Sequence, residues 1–159
     1  MTTEIRAALD AFAPELEARF ARFAKRQIER LVERFGPQLR GIANSDLYRA
    51  YAAIAPYYDR STGEVNEARI EEGAREYARA TAEAWADKIE GKLGELDEAE
   101  VKAMGGCAFR IAGMKGGRRV LIEQDMIVNV SPKGTLFNQF PARIYVDGKF
   151  TPAAKYAAL

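Results

Sequence analysis

The sequence predicts an α+β fold: an N-terminal helical, bundle-like part containing one long helix, packed against a small antiparallel β-meander at the C-terminus. Three observations predict it. Apolar residues recur every three or four positions between Leu16 and Leu93, the spacing of a buried helix face. They switch to strict alternation from Arg118 to Val130, the period of a strand with one dry side. Between the two regimes stands Gly105-Gly106, a break in either pattern. Residues 1–106 therefore read as a helical region and 107–159 as a meander. The two are expected to fold together, since three or four strands rarely stand alone. A chain of 159 residues that is 48% hydrophobic can bury a core without disulfides or metals.

Taken in order, Thr3 caps a short first helix ending near Phe12, and Pro14 suits the first turn of a second one. That second helix carries Leu16, Phe20, Phe23, Ile28, Leu31, Val32 and Phe35 and stops at Gly36-Pro37. Asn44 or Ser45 caps a helix with Leu47, Tyr51 and Ile54 on one side, ended by Pro56. A loop from Tyr57 to Gly63 precedes the long helix, Asn66 to Leu93, whose apolar line is Ile70, Ala74, Tyr77, Thr81, Trp85, Ile89 and Leu93. Asp97 caps a last short helix over Glu98 to Met104. Strands are expected over Cys107–Ala112, over Arg118–Val130 and over Ala142–Val146, with turns at Met114–Gly117 and Ser131–Gly134. Asp147-Gly148 is a hairpin signal leading into Lys149-Phe150, and a helical turn closes the chain after Pro152. On the Arg118–Val130 strand, Val120, Ile122, Gln124, Met126, Val128 and Val130 share one face; Arg119, Leu121, Glu123, Asp125, Ile127 and Asn129 share the other.

Two absences narrow the chemistry. There is no His, which excludes Ser-His-Asp and Cys-His catalysis and histidine-ligated zinc within these residues. There is one Cys, Cys107, so no intrachain disulfide forms, a usage that fits a reducing compartment. With no apolar run of about 20 residues and no signal-peptide profile at Met1–Arg6, the expected location is the cytoplasm. No cofactor is expected.

Net charge is +1 but unevenly placed: residues 1–106 carry 16 Lys+Arg against 20 Asp+Glu, residues 107–159 carry 8 against 3. Either the two parts attract each other, or the basic tail is a contact surface. Arg19, Arg22, Arg26, Arg30 and Arg34 form a basic helix stripe, which reads as a phosphate contact or, with Glu15, Glu29 and Glu33 interleaved, as a solvated face. Glu72, Glu76, Glu83, Asp87 and Glu90 form an acidic stripe on the long helix; carboxylates so spaced serve a divalent cation or simply face water. Tyr48, Tyr51, Tyr57 and Tyr58 lie near Arg49 and Arg60, residue types that anchor contact surfaces. The tail interleaves Lys115, Arg118, Arg119, Lys133, Arg143 and Lys149 with Phe109, Phe137, Phe140, Tyr145 and Phe150, a composition that suits single-stranded nucleic acid or a sheet core. Cys107 follows two glycines and reads as a buried small residue.

The segment Ile127-Val128-Asn129-Val130-Ser131-Pro132-Lys133-Gly134-Thr135-Leu136-Phe137-Asn138-Gln139-Phe140-Pro141-Ala142-Arg143 resembles the ends of small uncharacterised accessory proteins encoded by phages and other mobile elements. The resemblance covers the last third and carries no catalytic signature. It implies a compact accessory protein acting on host machinery.

The leading expectation is a non-enzymatic binding protein that meets a protein partner or nucleic acid, in a host-defence or nucleic-acid-processing complex. Its contact residues would be Arg118, Arg119, Lys133, Arg143 and Lys149 with Tyr57, Tyr58 and Arg60. The second is a self-assembling structural protein, a homo-oligomer built on the long helix. The third is a phosphoesterase holding a metal on Glu72, Glu76, Glu83 and Asp87.

Overall fold

The computed structural model describes residues 3–35, 52–59, 62–129 and 135–157. The fold is α+β. Two long helices, α1 (Glu4–Phe35) and α2 (Glu67–Lys88), lie on one side of a five-stranded antiparallel sheet. Its strands are β1 (Asp97–Ala103), β2 (Phe109–Lys115), β3 (Arg118–Gln124), β6 (Arg143–Val146) and β7 (Lys149–Phe150), in the order β1-β2-β3-β6-β7. A separate ribbon pairs β4 (Met126–Val128) with β5 (Phe137–Gln139), and a short helix α3 (Ala153–Ala157) ends the described chain. The expected helix around Leu47 and Tyr51, the stop at Gly36-Pro37 and the turn at Ser131–Gly134 lie outside the described residues.

α1 is one helix, not two. Pro14 stands inside it, although a proline there removes one hydrogen bond and crowds the preceding turn. The register of burial explains why the helix continues. Ile5, Leu9, Phe12, Leu16, Phe20, Ala24 and Ile28 are all buried, spaced by three or four residues straight through the proline. A break at Pro14 would turn one half of that stripe into water, and each large apolar side chain lost would cost about 1.5–3 kcal/mol.

α2 starts where expected: the Asn66 side chain accepts from the Arg69 amide at 3.1 Å. Its last turn widens into a π-helical turn, Ile89–Leu93. Gly94 then leaves the helix with φ +82°, and Lys115 Nζ donates to the open Leu93 carbonyl at 2.7 Å. The helices run antiparallel, since Arg6 meets Asp87 and Glu90, Glu17 meets Arg75, and Lys25 meets Glu67. Exposed pairs of this kind contribute little; the shared apolar seam holds the helices. The Arg6 cluster is the most developed: its guanidinium reaches both carboxylates, the Thr3 hydroxyl donates to Glu90, and these bonds hold the Glu90 carboxyl below the usual range.

The segment Glu98 to Met104 is a strand, not a helix. Ala99, Val101 and Ala103 turn inward while Glu98, Glu100 and Lys102 are exposed, and Val101 opposes Ile111 on β2. The ladder overrides residues that favour helices on their own. A bulge between Asp97 and Glu100 starts β1, and Leu96 crosses over Gly113, where a side-chain carbon would sit 2.8 Å from Leu96 Cβ. β2 runs on to Lys115, so the turn is Gly116-Gly117 alone.

The expected strand Arg118–Val130 breaks at Asp125, and its second half pairs with β5. Alternation survives the corner: Val120, Ile122, Gln124 and Met126 are all buried. Gln124 fixes the corner by donating to the carbonyls of Asp125 (2.9 Å) and Phe140 (2.6 Å). Asp147-Gly148 makes the expected hairpin, with φ +49° and +81°, as a primed turn requires.

One core spans helices and sheet. The row Val101-Ile111-Ile122-Ile144 faces the helices across four strands. Phe12 meets Phe109 at 5.7 Å between ring centroids. Phe20, Tyr77 and Phe137 form a three-ring cluster, 5.3 to 5.7 Å apart, that ties α1 and α2 to the β4-β5 ribbon.

Because Pro14 is exposed and mid-helix, Pro14→Ala is expected to stabilise the protein by about 1–3 kcal/mol in urea unfolding. An unchanged or lowered midpoint would mean that the helix starts at Pro14.

Candidate functional site

The helices cover one face of the sheet and leave the other open. Strand register lays three rows across that outer face. The first is Glu100-Ala112-Leu121-Tyr145-Phe150, one residue from each strand. The second is Lys102-Arg110-Glu123-Arg143. The third pairs Met114 with Arg119. The result is an apolar strip of Met114, Leu121 and Tyr145, each half-buried, continued by Phe150, which is 62% exposed with its ring edge-on to Tyr145. The twisted face is concave, with a hollow of about 530 Å³.

Charge around the strip is balanced. Glu98, Glu100 and Glu123 line the hollow with Lys102, Arg110 and Arg119. Arg143 is paired twice, to Glu123 at 3.1 Å and Asp125 at 3.2 Å. The expected attraction of the basic tail to the acidic helix is absent at this residue; its partners are Glu123 of β3 and Asp125 at the corner that follows. The Arg119 amide donates to Asp147 at 3.0 Å while its side chain is exposed. Arg118 and Lys149 are exposed at the end of the sheet, around the β6-β7 turn. Thus Arg119 and Arg143 share the outer face, and Arg118 and Lys149 lie together beside it. Lys133 and Arg60 lie outside the described residues.

The tyrosines near Pro56 are packing residues. Tyr58 is buried in a second small core with Ala24, Ile28, Ile54, Ile70 and Leu136. The Tyr57 ring lies on Gly73 of α2, where an added carbon would meet its hydroxyl at 2.8 Å, and burial pushes its phenol pKa up. Tyr48, Tyr51 and Arg49 lie outside the described residues.

The helix stripes are also largely structural. Arg19 donates to the carbonyls of Met104 (2.9 Å) and Gly106 (2.7 Å), clasping the β1-β2 turn. Arg22 and Arg26 lie over the Phe23 ring. On α2, Asp87 and Glu90 bind Arg6, and Glu72 pairs with Arg69. Glu72, Glu76, Glu83 and Asp87 do not converge: among the described residues no three Asp, Glu or Cys side chains could hold a metal ion. The apolar line expected to carry self-assembly is used inside the chain, where Ile70, Ala74, Thr81, Trp85, Ile89 and Leu93 are buried. No described helix is long and apolar enough to cross a membrane.

Sequence reasoning missed Ala112, Met114 and Glu100 as members of the face, and Lys155 beside Lys149. Leu121 was legible from the alternation of β3. The row was not, because reading β1 as a helix removed its first strand. Comparison with protein-family models, with curated proteins and with solved structures finds no match to this chain.

Cys107 is buried, and desolvation pushes its thiol up to about 11 despite Arg19 and Arg22 nearby. A thiol-specific chromogenic reagent at pH 8 is expected to leave it untouched in the folded protein and to titrate it fully in urea. Because the folded value lies above the ordinary one, the stability this thiol confers holds at neutral pH and is lost as pH rises from about 9 through about 11. Rapid reaction of the native protein would contradict this burial.

Proposed function

We propose that the chain is a non-enzymatic binding protein that presents the outer face of its sheet to a protein partner in the cytoplasm. One observation carries the reading. Among the described residues nothing covers the row Ala112-Leu121-Tyr145-Phe150, on a sheet whose opposite face is packed under the helices, and both signs of charge surround it. Protein interfaces combine an aromatic and aliphatic centre with a polar rim, and Tyr and Arg supply their anchors. A phosphodiester backbone asks instead for clustered cations. Here three carboxylates interrupt three cations, and Arg143 is already neutralised. That balance favours protein over nucleic acid on this face. The buried free thiol fits a reducing compartment. The likeness of the tail to phage and mobile-element accessory proteins points to a host-defence or nucleic-acid-processing complex as the partner.

The test places a photo-reactive phenylalanine analogue at Tyr145 and, as a control, at the exposed Glu29 of α1. Irradiation in cell extract is expected to give one discrete, nuclease-resistant adduct from position 145 and none from position 29. The protein so identified, once purified, is expected to bind Leu121→Asp at least about tenfold more weakly than wild type, a loss of about 1.4 kcal/mol. A nuclease-sensitive adduct, an adduct with a second copy of the chain, or no adduct at all would each overturn the reading.

A further inference from the structure

We propose that a notch at one end of the sheet binds a nucleoside phosphate, with Arg118, Lys149 and Lys155 on the phosphates and Phe150 under the base. The notch lies between the β2-β3 turn, the β6-β7 hairpin and α3, with a volume of about 370 Å³. That falls within the ~300–1,000 Å³ usual for small-molecule sites.

Three cations from three separate elements line it: Arg118 opens β3, Lys149 begins β7, and Lys155 is on α3. Asp147 is the one carboxylate lining it among the described residues, and it accepts the Arg119 amide at 3.0 Å. None of the three cations has an ion-pair partner among the described residues, unlike Arg6, Lys25, Arg75 and Arg143. Three cations against that single carboxylate leave the notch net positive, which favours the arrival of an anion. A phosphate suits the set, because Arg offers a planar two-pronged donor and Lys a point charge.

The aromatic wall selects a nucleoside phosphate over bare phosphate. Phe150 lines the notch and is the most exposed large apolar residue described. Its backbone is held by pairing with Tyr145 and by the next amide, Thr151, which donates to the Ile144 carbonyl at 2.7 Å. A water-facing ring on a held backbone, lining the same notch as cations, can stack a base while charge holds its phosphates. The notch shares Phe150 with the end of the outer-face row and no other residue of that row, and it does not rest on the protein-binding reading.

The test is calorimetric titration of the full chain with adenosine diphosphate, inorganic pyrophosphate and adenosine at low salt. The diphosphate is expected to bind, pyrophosphate to bind at least about fivefold more weakly for want of stacking, and adenosine alone to give no heat. Arg118→Ala with Lys149→Ala is expected to weaken adenosine diphosphate at least about tenfold, and Phe150→Ala to bring it to the pyrophosphate level. All these side chains are exposed, and an unchanged melting temperature shows that each variant is folded. No heat from adenosine diphosphate, or the same affinity in the double variant, would overturn the site. Equal affinity for pyrophosphate and adenosine diphosphate in the wild type would overturn the role of Phe150.

Discussion

Two amphipathic helices can dry one face of a five-stranded sheet and no more. α1 and α2 supply a continuous apolar seam from Ile5 to Leu93, and the row Val101-Ile111-Ile122-Ile144 is what that seam can cover. Burial of this kind is the dominant favourable term in folding. It is strong enough here to carry α1 through Pro14 and to hold Glu98–Lys102 in a ladder against their own preference for helix. The π turn at Ile89–Leu93 and the clasp of Arg19 on the β1-β2 turn look local, yet both serve the same end. The first brings the chain out of α2 toward β1, and the second gives the Met104 and Gly106 carbonyls a donor where the chain leaves β1.

The consequence for function is geometric. With the inner face filled, every residue of opposite parity in β1, β2, β3 and β6 has to face water. Leu121, Met114 and Tyr145 are therefore half-exposed by register, not by defect of the core. The hollow of that face gathers Lys102, Arg110 and Arg119 with Glu98, Glu100 and Glu123, so the open face has aliphatic and aromatic substance and charges of both signs in equal number. A surplus of positive charge accumulates elsewhere, at the end of the sheet where hairpin, turn and α3 meet. Basic composition of the tail thus splits into two regions of different chemistry, a distinction that residue counts cannot show.

The fold class was legible because both periodicities are long and clean. Helical spacing runs the length of α1 and α2, and alternation across β3 placed Gln124 and Met126 on the buried side although the strand breaks between them. Asp147-Gly148 named its own turn. Misreadings came where tertiary contacts outweigh local preference: Pro14 looks like a helix start, and Glu98–Met104 is rich in helix formers. β5 is three residues long and is defined only by its pairing with β4. For the site, Arg119 and Leu121 followed from parity alone. The partners of Arg143 did not, because Glu123 and Asp125 were counted as tail residues without regard to which cation they oppose. Nor did the packing of Tyr57 on Gly73, which joins residues far apart in sequence.

The central claim is that neighbouring residues of β3 live in opposite environments, and single cysteines report this directly. On a Cys107→Ser background, Leu121→Cys and Ile122→Cys are labelled with a small maleimide under native conditions at neutral pH. The account predicts that position 121 reacts readily, while position 122 reacts at least about a hundredfold more slowly, limited by opening of the core. Comparable rates at the two positions, or faster labelling at 122, would contradict it.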